Sequence, residues 1–359
     1  MTTSEDNRAR AATIYDVARE AGVSSATVSR VFSGRSTVAA STRDTVLAVA
    51  DRMGYRTNWL ARSLSSRTSD MVAVLLPDIA NPFFSELVKG VQSAAFREGY
   101  TTLICNTEGD PDLERRYLDG LLSRLVEYVL VVGLTLDRET VDSYVAAGLT
   151  FIALDRPMVN ASSVLVQSDN RMGAELAVRH LIDLEHRRIA HIAGPADIAL
   201  SRDRRRGYLD ALAAAGLPAD DSLVVESDFT ADGGAQAYEE LDRRGVEFTA
   251  VFAADDLIAT GAMYAALAHG RSVPADLSLV GFDDALPARY TAPPLTTVRQ
   301  DATALGECAV QVITSPKTNR PRRRFVLPVS LVVRSSTAPP PQGPAVSTRR
   351  NRGATHRRH

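Results

Sequence analysis

The stretch VSSATVSRV, Val23 to Val31, sets four hydroxyl side chains (Ser24, Ser25, Thr27 and Ser29) and Arg30 among apolar residues at helical spacing. Ser and Thr are mediocre helix formers, so propensity does not account for their density on one short helix. Small side chains let a helix backbone approach another surface closely, and hydroxyls and arginine donate to phosphates and base edges. The stretch therefore carries the chemistry of nucleic-acid contact. The competing reading is a small helical cap with a solvated basic face.

The neighbouring segments supply the frame. Upstream, TIYDVAREAG places Ile14, Val17, Ala18 and Ala21 at i, i+3, i+4 and i+7, one face of an amphipathic helix. Thr13 and Asp16 form a capping-box start and Gly22 a stop. In the second helix Ser24 is the N-cap, Val23, Val28 and Val31 face inward, and Ser25, Ala26, Ser29 and Arg30 are left outside. A third helix is predicted from Ser41, with Asp44 at the capping-box position and Val46, Val49, Ala50 and Met53 as its inner stripe. Three such helices make a helix-turn-helix module. Residues 8–67 hold ten arginines against four acidic residues, while the whole chain is formally at −2. That concentration of positive charge is the electrostatic footprint of nucleic-acid binding.

The length of 359 residues leaves room for two or three domains, and 45% hydrophobic with 23% charged residues is ordinary for a globular protein. No apolar run approaches the roughly 20 residues of a membrane span, and MTTSEDNRARAA has no apolar signal-peptide core. A cytoplasmic, nucleoid-associated chain with no membrane partner is expected. Cys105 and Cys308 lie in separate apolar segments and read as core thiols. His180, His186 and His191 do not share a helical face, so no metal is expected. There is no GxSxG elbow, Walker A loop, GxGxxG after a strand or HExxH. Hence no catalytic residue and no cofactor is assigned, and an enzyme is the weakest reading.

From Met71 onward, short β-rich runs (MVAVLL, TTLIC, YVLVV, FIAL, RIAHIAG, SLVVES, TAVFAA, LSLVGF) alternate with amphipathic stretches at 83–98, 112–124, 170–184, 203–215, 232–244 and 256–269. Alternation of this kind means βαβ units and a parallel sheet covered on both faces. The length of the run predicts two doubly wound parallel-sheet subdomains with a ligand cleft between them. The closing segment, rich in Pro and Arg, has no apolar periodicity and is expected to be disordered.

TIYDVAREAGVSSATVSRVFSG and ARSLSSRTSDMVAVLLPDIANPFFSEL, followed in order by RRIAHIAGP, FAADDLIATGA, LSLVGFDD, PPLTTVRQD and PVSLVVRSST, resemble the signatures of the lactose-repressor/galactose-repressor family of bacterial transcription regulators over about residues 13 to 337. The resemblance implies an α-helical helix-turn-helix headpiece (13–57), a hinge helix with linker (58–67) and an α/β core like periplasmic sugar-binding proteins (68–337). A disordered arm (1–12) and a disordered tail (338–359) flank them. It implies that Ser25 and Ala26 face base edges, that Arg30 pairs with a guanine, and that Thr13, Ser24, Thr27, Ser29 and Thr37 contact or orient on phosphates. Thr13 and Ser24 are N-caps in any case. Asn58 to Leu64 matches the hinge helix, with Ala61 allowing close approach to DNA and Leu64 wedging into the minor groove. A seven-residue helix is marginal in water, so it forms only when two copies pack on DNA. Thr57 stands where the family usually has Pro, and Trp59 where it has a small residue.

In the core the same resemblance assigns effector contacts to Phe83, Phe84, Asp155, Arg204, Phe229, Asp255 and Asp283, with Arg156 beside Asp155. Carboxylates, a guanidinium and aromatic faces suit a polyhydroxylated ring, and the acidic balance argues against a sugar phosphate. The expectation is a homodimeric repressor of a carbohydrate-utilisation operon on a pseudo-palindromic double-stranded DNA operator, controlled by a neutral sugar or glycoside. A nucleoside or nucleobase effector is the alternative. A solute-binding protein is a distant third, because it would need a signal peptide and no headpiece. Glu185 occupies a position where the family commonly carries Gly after a helix.

Overall fold

The apolar periodicities resolve into two compact units, Met1–Ser69 and Asp70–His359. The computed structural model describes residues 12–32, 38–55, 69–158, 164–315 and 324–341. The first unit holds α1 (Ile14–Glu20), α2 (Ser25–Phe32) and α3 (Ala40–Arg52). Val17, Val28 and Val46, one from each helix, are fully buried at the centre of their small core. The predicted capping box at Thr13 forms: its Oγ1 accepts from Asp16 N, and its own N donates to Asp16 Oδ2 at 3.0 Å. Gly22 then turns the chain at φ +68°, a backbone open to residues without Cβ. The start predicted for the third helix is corrected. It begins one residue earlier, with Ala39 at the N-cap and no side-chain cap, so Ser41 and Asp44 lie inside it.

The second unit contains two six-stranded sheets. The first, in the order β11-β5-β4-β3-β1-β2, is parallel throughout and consists of β1 (Met71–Leu76), β2 (Thr101–Asn106), β3 (Tyr128–Val131), β4 (Thr150–Leu154), β5 (Val164–Ser168) and β11 (Arg324–Leu327). Strand β1 shows why both faces are covered. Val72, Val74 and Leu76 pack against α4 (Pro82–Arg97) and α11 (Ala302–Thr314), while Ala73 and Leu75 pack against α5 (Pro111–Ser123) and α6 (Arg138–Ala146).

The second sheet runs β12-β10-β9-β8-β6-β7. It is built from β6 (Ile189–Ala193), β7 (Val224–Glu226), β8 (Ala250–Ala253), β9 (Ser278–Asp283), β10 (Thr296–Arg299) and β12 (Ser330–Val332), with only the edge strand β12 antiparallel. Helices α7 (Asn170–Asp183) and α8 (Ala199–Ala214) cover one face, and α9 (Ala231–Arg243) and α10 (Asp256–Ala268) the other. The α9–α10 pair is unusually close: a Cβ on Gly261 would lie 1.7 Å from the Ala231 carbonyl oxygen.

The chain passes between the two subdomains three times, at Ser168–Asn170, Arg299–Ala302 and Leu327–Ser330. Strands β5, β10, β11 and β12 and helices α6 and α11 were not anticipated. The tail boundary also needs correction, because Ala338 is anchored: its N donates to Ser278 Oγ at 2.9 Å and its carbonyl oxygen lies 2.9 Å from His186 Nε2. Among the described residues no helix is long and apolar enough to cross a membrane, and no cluster of His, Cys, Asp or Glu is arranged to hold a metal ion.

Candidate functional site

In the headpiece the outer face of α2 has the predicted composition. Ala26, Ser29 and Arg30 are exposed and Ser25 is half-buried, while Val28 and Val31 are buried. Ser24 caps the helix, its Oγ accepting from Thr27 N at 3.1 Å, and the two hydroxyls lie 2.9 Å apart. Thr13 Oγ1 donates to Asp16 Oδ2 at 2.6 Å. Thus Thr13, Ser24 and Thr27 already serve the helix starts, while Ala26 and Ser29 lie open on its surface. Thr37, Asn58, Ala61 and Leu64, and with them the hinge-helix expectation, fall outside the described residues.

In the core, all seven residues assigned to effector contact line one cleft, together with Asn81, Arg156, Leu200 and Gln300. Its position follows from topology, since open α/β sheets place ligands beyond the carboxyl ends of their strands. Asn81 and the two phenylalanines follow β1, Asp155 and Arg156 follow β4, Phe229 follows β7, Asp255 follows β8, Asp283 ends β9 and Gln300 follows β10. Arg204 reaches in from α8. Asn81 and Gln300 escaped the sequence reading. The signal for Asn81 was its place before Pro82, where its Oδ1 accepts from Phe83 N at 2.9 Å. For Gln300 it was a long amide directly after TTVR, visible only once that run is recognised as a strand.

Arg204 organises the charges. It is almost fully buried; its Nε donates to Asn170 Oδ1 at 2.8 Å and Nη1 to the Ala254 carbonyl oxygen at 2.5 Å, while its guanidinium lies 3.8 Å from the centre of the Phe282 ring. Its Nη2 is 3.9 Å from Asp283 Oδ1. Burial drives the Asp155, Asp255 and Asp283 carboxyls above their usual range, and Arg204 pulls each of them back. Asp255 also caps α10, accepting from Ile258 N at 2.7 Å, so its carboxylate has a structural partner as well as a place in the cleft lining. Phe83 and Phe84 likewise belong to the core cluster of the first sheet while lining the cleft.

Across the opening, Arg156 stands 5.7 Å over the Phe229 ring. Asp155 Oδ1, Arg156 Nε and Gln300 Oε1 are buried without a hydrogen-bond partner among the described residues. The other end of the Gln300 amide donates to Asp283 Oδ1 at 2.6 Å. Buried polar atoms are nearly always paired, so two orphaned acceptors and one orphaned donor beside aromatic faces are unmet hydrogen-bonding capacity at the cleft.

Known proteins agree with both halves. The description "Bacterial regulatory proteins, lacI family" matches residues 13–58, and "Periplasmic binding protein-like domain" matches residues 178–337. The HTH-type transcriptional regulator DegA of Bacillus subtilis (strain 168) is 37% identical over 341 residues, covering 91% of this chain and 98% of its own length. A crystal structure of the Lac repressor dimer bound to operator and the anti-inducer ONPF is 30% identical, with a TM-score of 0.79 over 92% of this chain and 100% of that one. A LacI family transcriptional regulator from Enterococcus faecium with bound ribose is also 30% identical, with a TM-score of 0.68 over 75% of this chain and 99% of that one. A helix-turn-helix headpiece joined to a two-subdomain periplasmic-binding-protein-like core, with this similarity along nearly its whole length, makes the chain a DNA-binding transcriptional regulator that belongs to the lacI family of bacterial regulatory proteins.

Proposed function

We propose that this regulator represses a carbohydrate-utilisation operon as a homodimer and that a neutral sugar, held in the cleft around Arg204 and Asp283, controls its grip on DNA. The observation that carries the reading is the set of orphaned atoms, Asp155 Oδ1, Arg156 Nε and Gln300 Oε1, beside the rings of Phe83, Phe84 and Phe229. Hydroxyl groups serve as donor and acceptor at once, so a polyol satisfies both kinds of orphan, and its apolar face packs on the phenylalanines. Three carboxylates against two guanidinium groups disfavour a phosphorylated ligand. The ribose bound by the Enterococcus faecium relative is a neutral polyol of this kind.

On the DNA side, Ser25, Ala26 and Arg30 are the base-reading residues of α2. Thr13, Ser24, Thr27, Ser29 and Thr37 contact or orient on phosphates, and Asn58, Ala61 and Leu64 act in the minor groove. Sugar and operator are linked through one equilibrium between arrangements of the two core subdomains, each ligand biasing the other by the same coupling free energy.

A thermal-unfolding screen of the full chain tests the sugar reading, using D-ribose, D-galactose, D-glucose, ribose 5-phosphate, adenosine and hypoxanthine. A ligand specific to the folded state adds about 2.7 kcal/mol at 100 times its dissociation constant. The reading requires a response to a neutral sugar that disappears in Asp283→Ala. A response confined to the phosphate or to the purines rejects it.

A further inference from the structure

The cleft carboxylate Asp283 sits on an awkward backbone. Its φ is +121°, and that of the next residue, Asp284, is +54°. Two consecutive L-residues hold positive φ only where their surroundings over-determine them. The restraint here is the Asp284 side chain, which is almost fully buried and does not line the cleft. Its Oδ2 accepts from Arg299 Nε at 2.6 Å, its Oδ1 accepts from Arg334 Nη2, and Arg289 Nη2 stands 3.7 Å away. From the other side, Ala285 N donates to Asp256 Oδ2 at 2.8 Å, and Thr297 Oγ1 donates to Asp256 Oδ1 at 2.5 Å.

Of the three arginines, Arg334 is the most buried, and it comes from the C-terminal segment rather than from β9 or β10. Its own placement is secured twice, its N donating to Thr296 Oγ1 at 2.9 Å and its Nη1 to the Leu295 carbonyl oxygen at 2.7 Å. The segment beyond it is stapled independently. Ser336 Oγ donates to the Leu279 carbonyl oxygen at 2.6 Å and accepts from Thr296 N at 2.8 Å, and Thr337 Oγ1 lies 3.0 Å from His180 Nε2. Arg334 is therefore not needed to hold the segment in place, yet a buried, fixed guanidinium is spent on Asp284.

We infer that Arg334 is a positioning residue for the effector cleft: by gripping Asp284 it holds the turn that aims the Asp283 carboxylate at the ligand. The inference rests on the reading of the cleft as the effector site. It makes the C-terminal segment part of effector recognition, although none of that segment lines the cleft.

The test uses the full chain carrying Arg334→Met, Arg334→Lys or Ser336→Ala, with hydrogen exchange followed by mass spectrometry and calorimetric titration with D-ribose. The Arg334→Met variant should exchange faster across residues 283–286, with residues 278–281 and 336–338 protected as in the parent. Its affinity for D-ribose should fall by about tenfold or more, the scale of a misaimed binding group. Arg334→Lys, which keeps a charge on Asp284, should recover most of that loss, and Ser336→Ala should leave sugar affinity unchanged. Faster exchange confined to residues 334–341, with 283–286 as in the parent, overturns the inference, as does unchanged affinity in Arg334→Met. If the parent chain takes up no D-ribose, the choice of ribose falls, and exchange at residues 283–286 alone decides the positioning role.

Discussion

Replacing Arg204 by methionine removes the one cation among the described residues that faces Asp155, Asp255 and Asp283 together, while keeping most of the side-chain volume. The guanidinium makes two hydrogen bonds, to Asn170 Oδ1 and the Ala254 carbonyl oxygen, and stacks on Phe282. Removing one partner from a buried charge network costs about 3–5 kcal/mol, because the charges left behind keep their desolvation penalty. The cost should depend on pH. Burial already raises the three carboxyls, and without Arg204 they rise further, so the folded variant binds more protons than its unfolded chain above pH 4. The variant's loss relative to the parent must then shrink as pH falls from 7.5 toward 5.5. Other titrating groups act in parent and variant alike and largely cancel in the difference. Urea unfolding of both proteins at the two pH values, followed by circular dichroism, reads it directly. A loss under about 1 kcal/mol at pH 7.5, within the range of ordinary single changes, or the same loss at both pH values, refutes the assignment of Arg204 as the charge keystone.

Further predictions follow from single sites. His191 is fully buried between the Tyr208 and Phe252 rings, and burial lowers its pKa to about 4. Below pH 6.5 the unfolded chain takes up that proton first, so His191 withdraws about 3 kcal/mol of stability between pH 6.5 and 4; His191→Phe should lessen the acid sensitivity, and an unchanged pH profile would count against it. Glu185 holds φ +74° at a helix end, so Glu185→Gly should gain up to about 1 kcal/mol in denaturant unfolding; a loss would mean that the Glu side chain contributes more than the strain costs. Gly261→Ala must force α9 and α10 apart and cost about 1–3 kcal/mol, seen as a lower thermal midpoint. Ser24→Ala should destabilise the headpiece by about 1 kcal/mol through its lost N-cap; a full-chain DNA titration then separates capping from phosphate contact, since an effect through capping alone is restored by Ser24→Asp.

Legibility differed by element for physical reasons. Strands such as MVAVLL announce themselves because both faces are buried, whereas TTVR and SLV are short and polar-flanked and form sheet strands only through their neighbours. Helix α11 escaped although it is amphipathic, with Leu305, Ala309, Val312 and Ile313 buried and Thr303, Gln311 and Thr314 exposed: it follows β10, itself unrecognised, and packs on the other sheet. Local spacing also carries no sign of the three passages between subdomains, which depend on which sheet each strand joins. The assigned cleft residues were found through motif resemblance, and topology explains their convergence, since all but Arg204, which reaches in from α8, end or follow a strand. Gln300 needed β10 to be known first. The support behind them, Asp256, Asp284 and Arg334, holds the turn after Asp283 rather than lining the cleft and leaves no local pattern.

The central claim is that cleft and headpiece are thermodynamically linked. Its most direct test is fluorescence anisotropy of the full chain on a duplex enriched from a random library by the chain itself, titrated with and without the sugar identified by thermal unfolding. The enriched duplex should be a pseudo-palindrome whose affinity changes by about fivefold or more with sugar, with no change in Asp283→Ala. A sugar that binds the cleft yet leaves operator affinity untouched would contradict it.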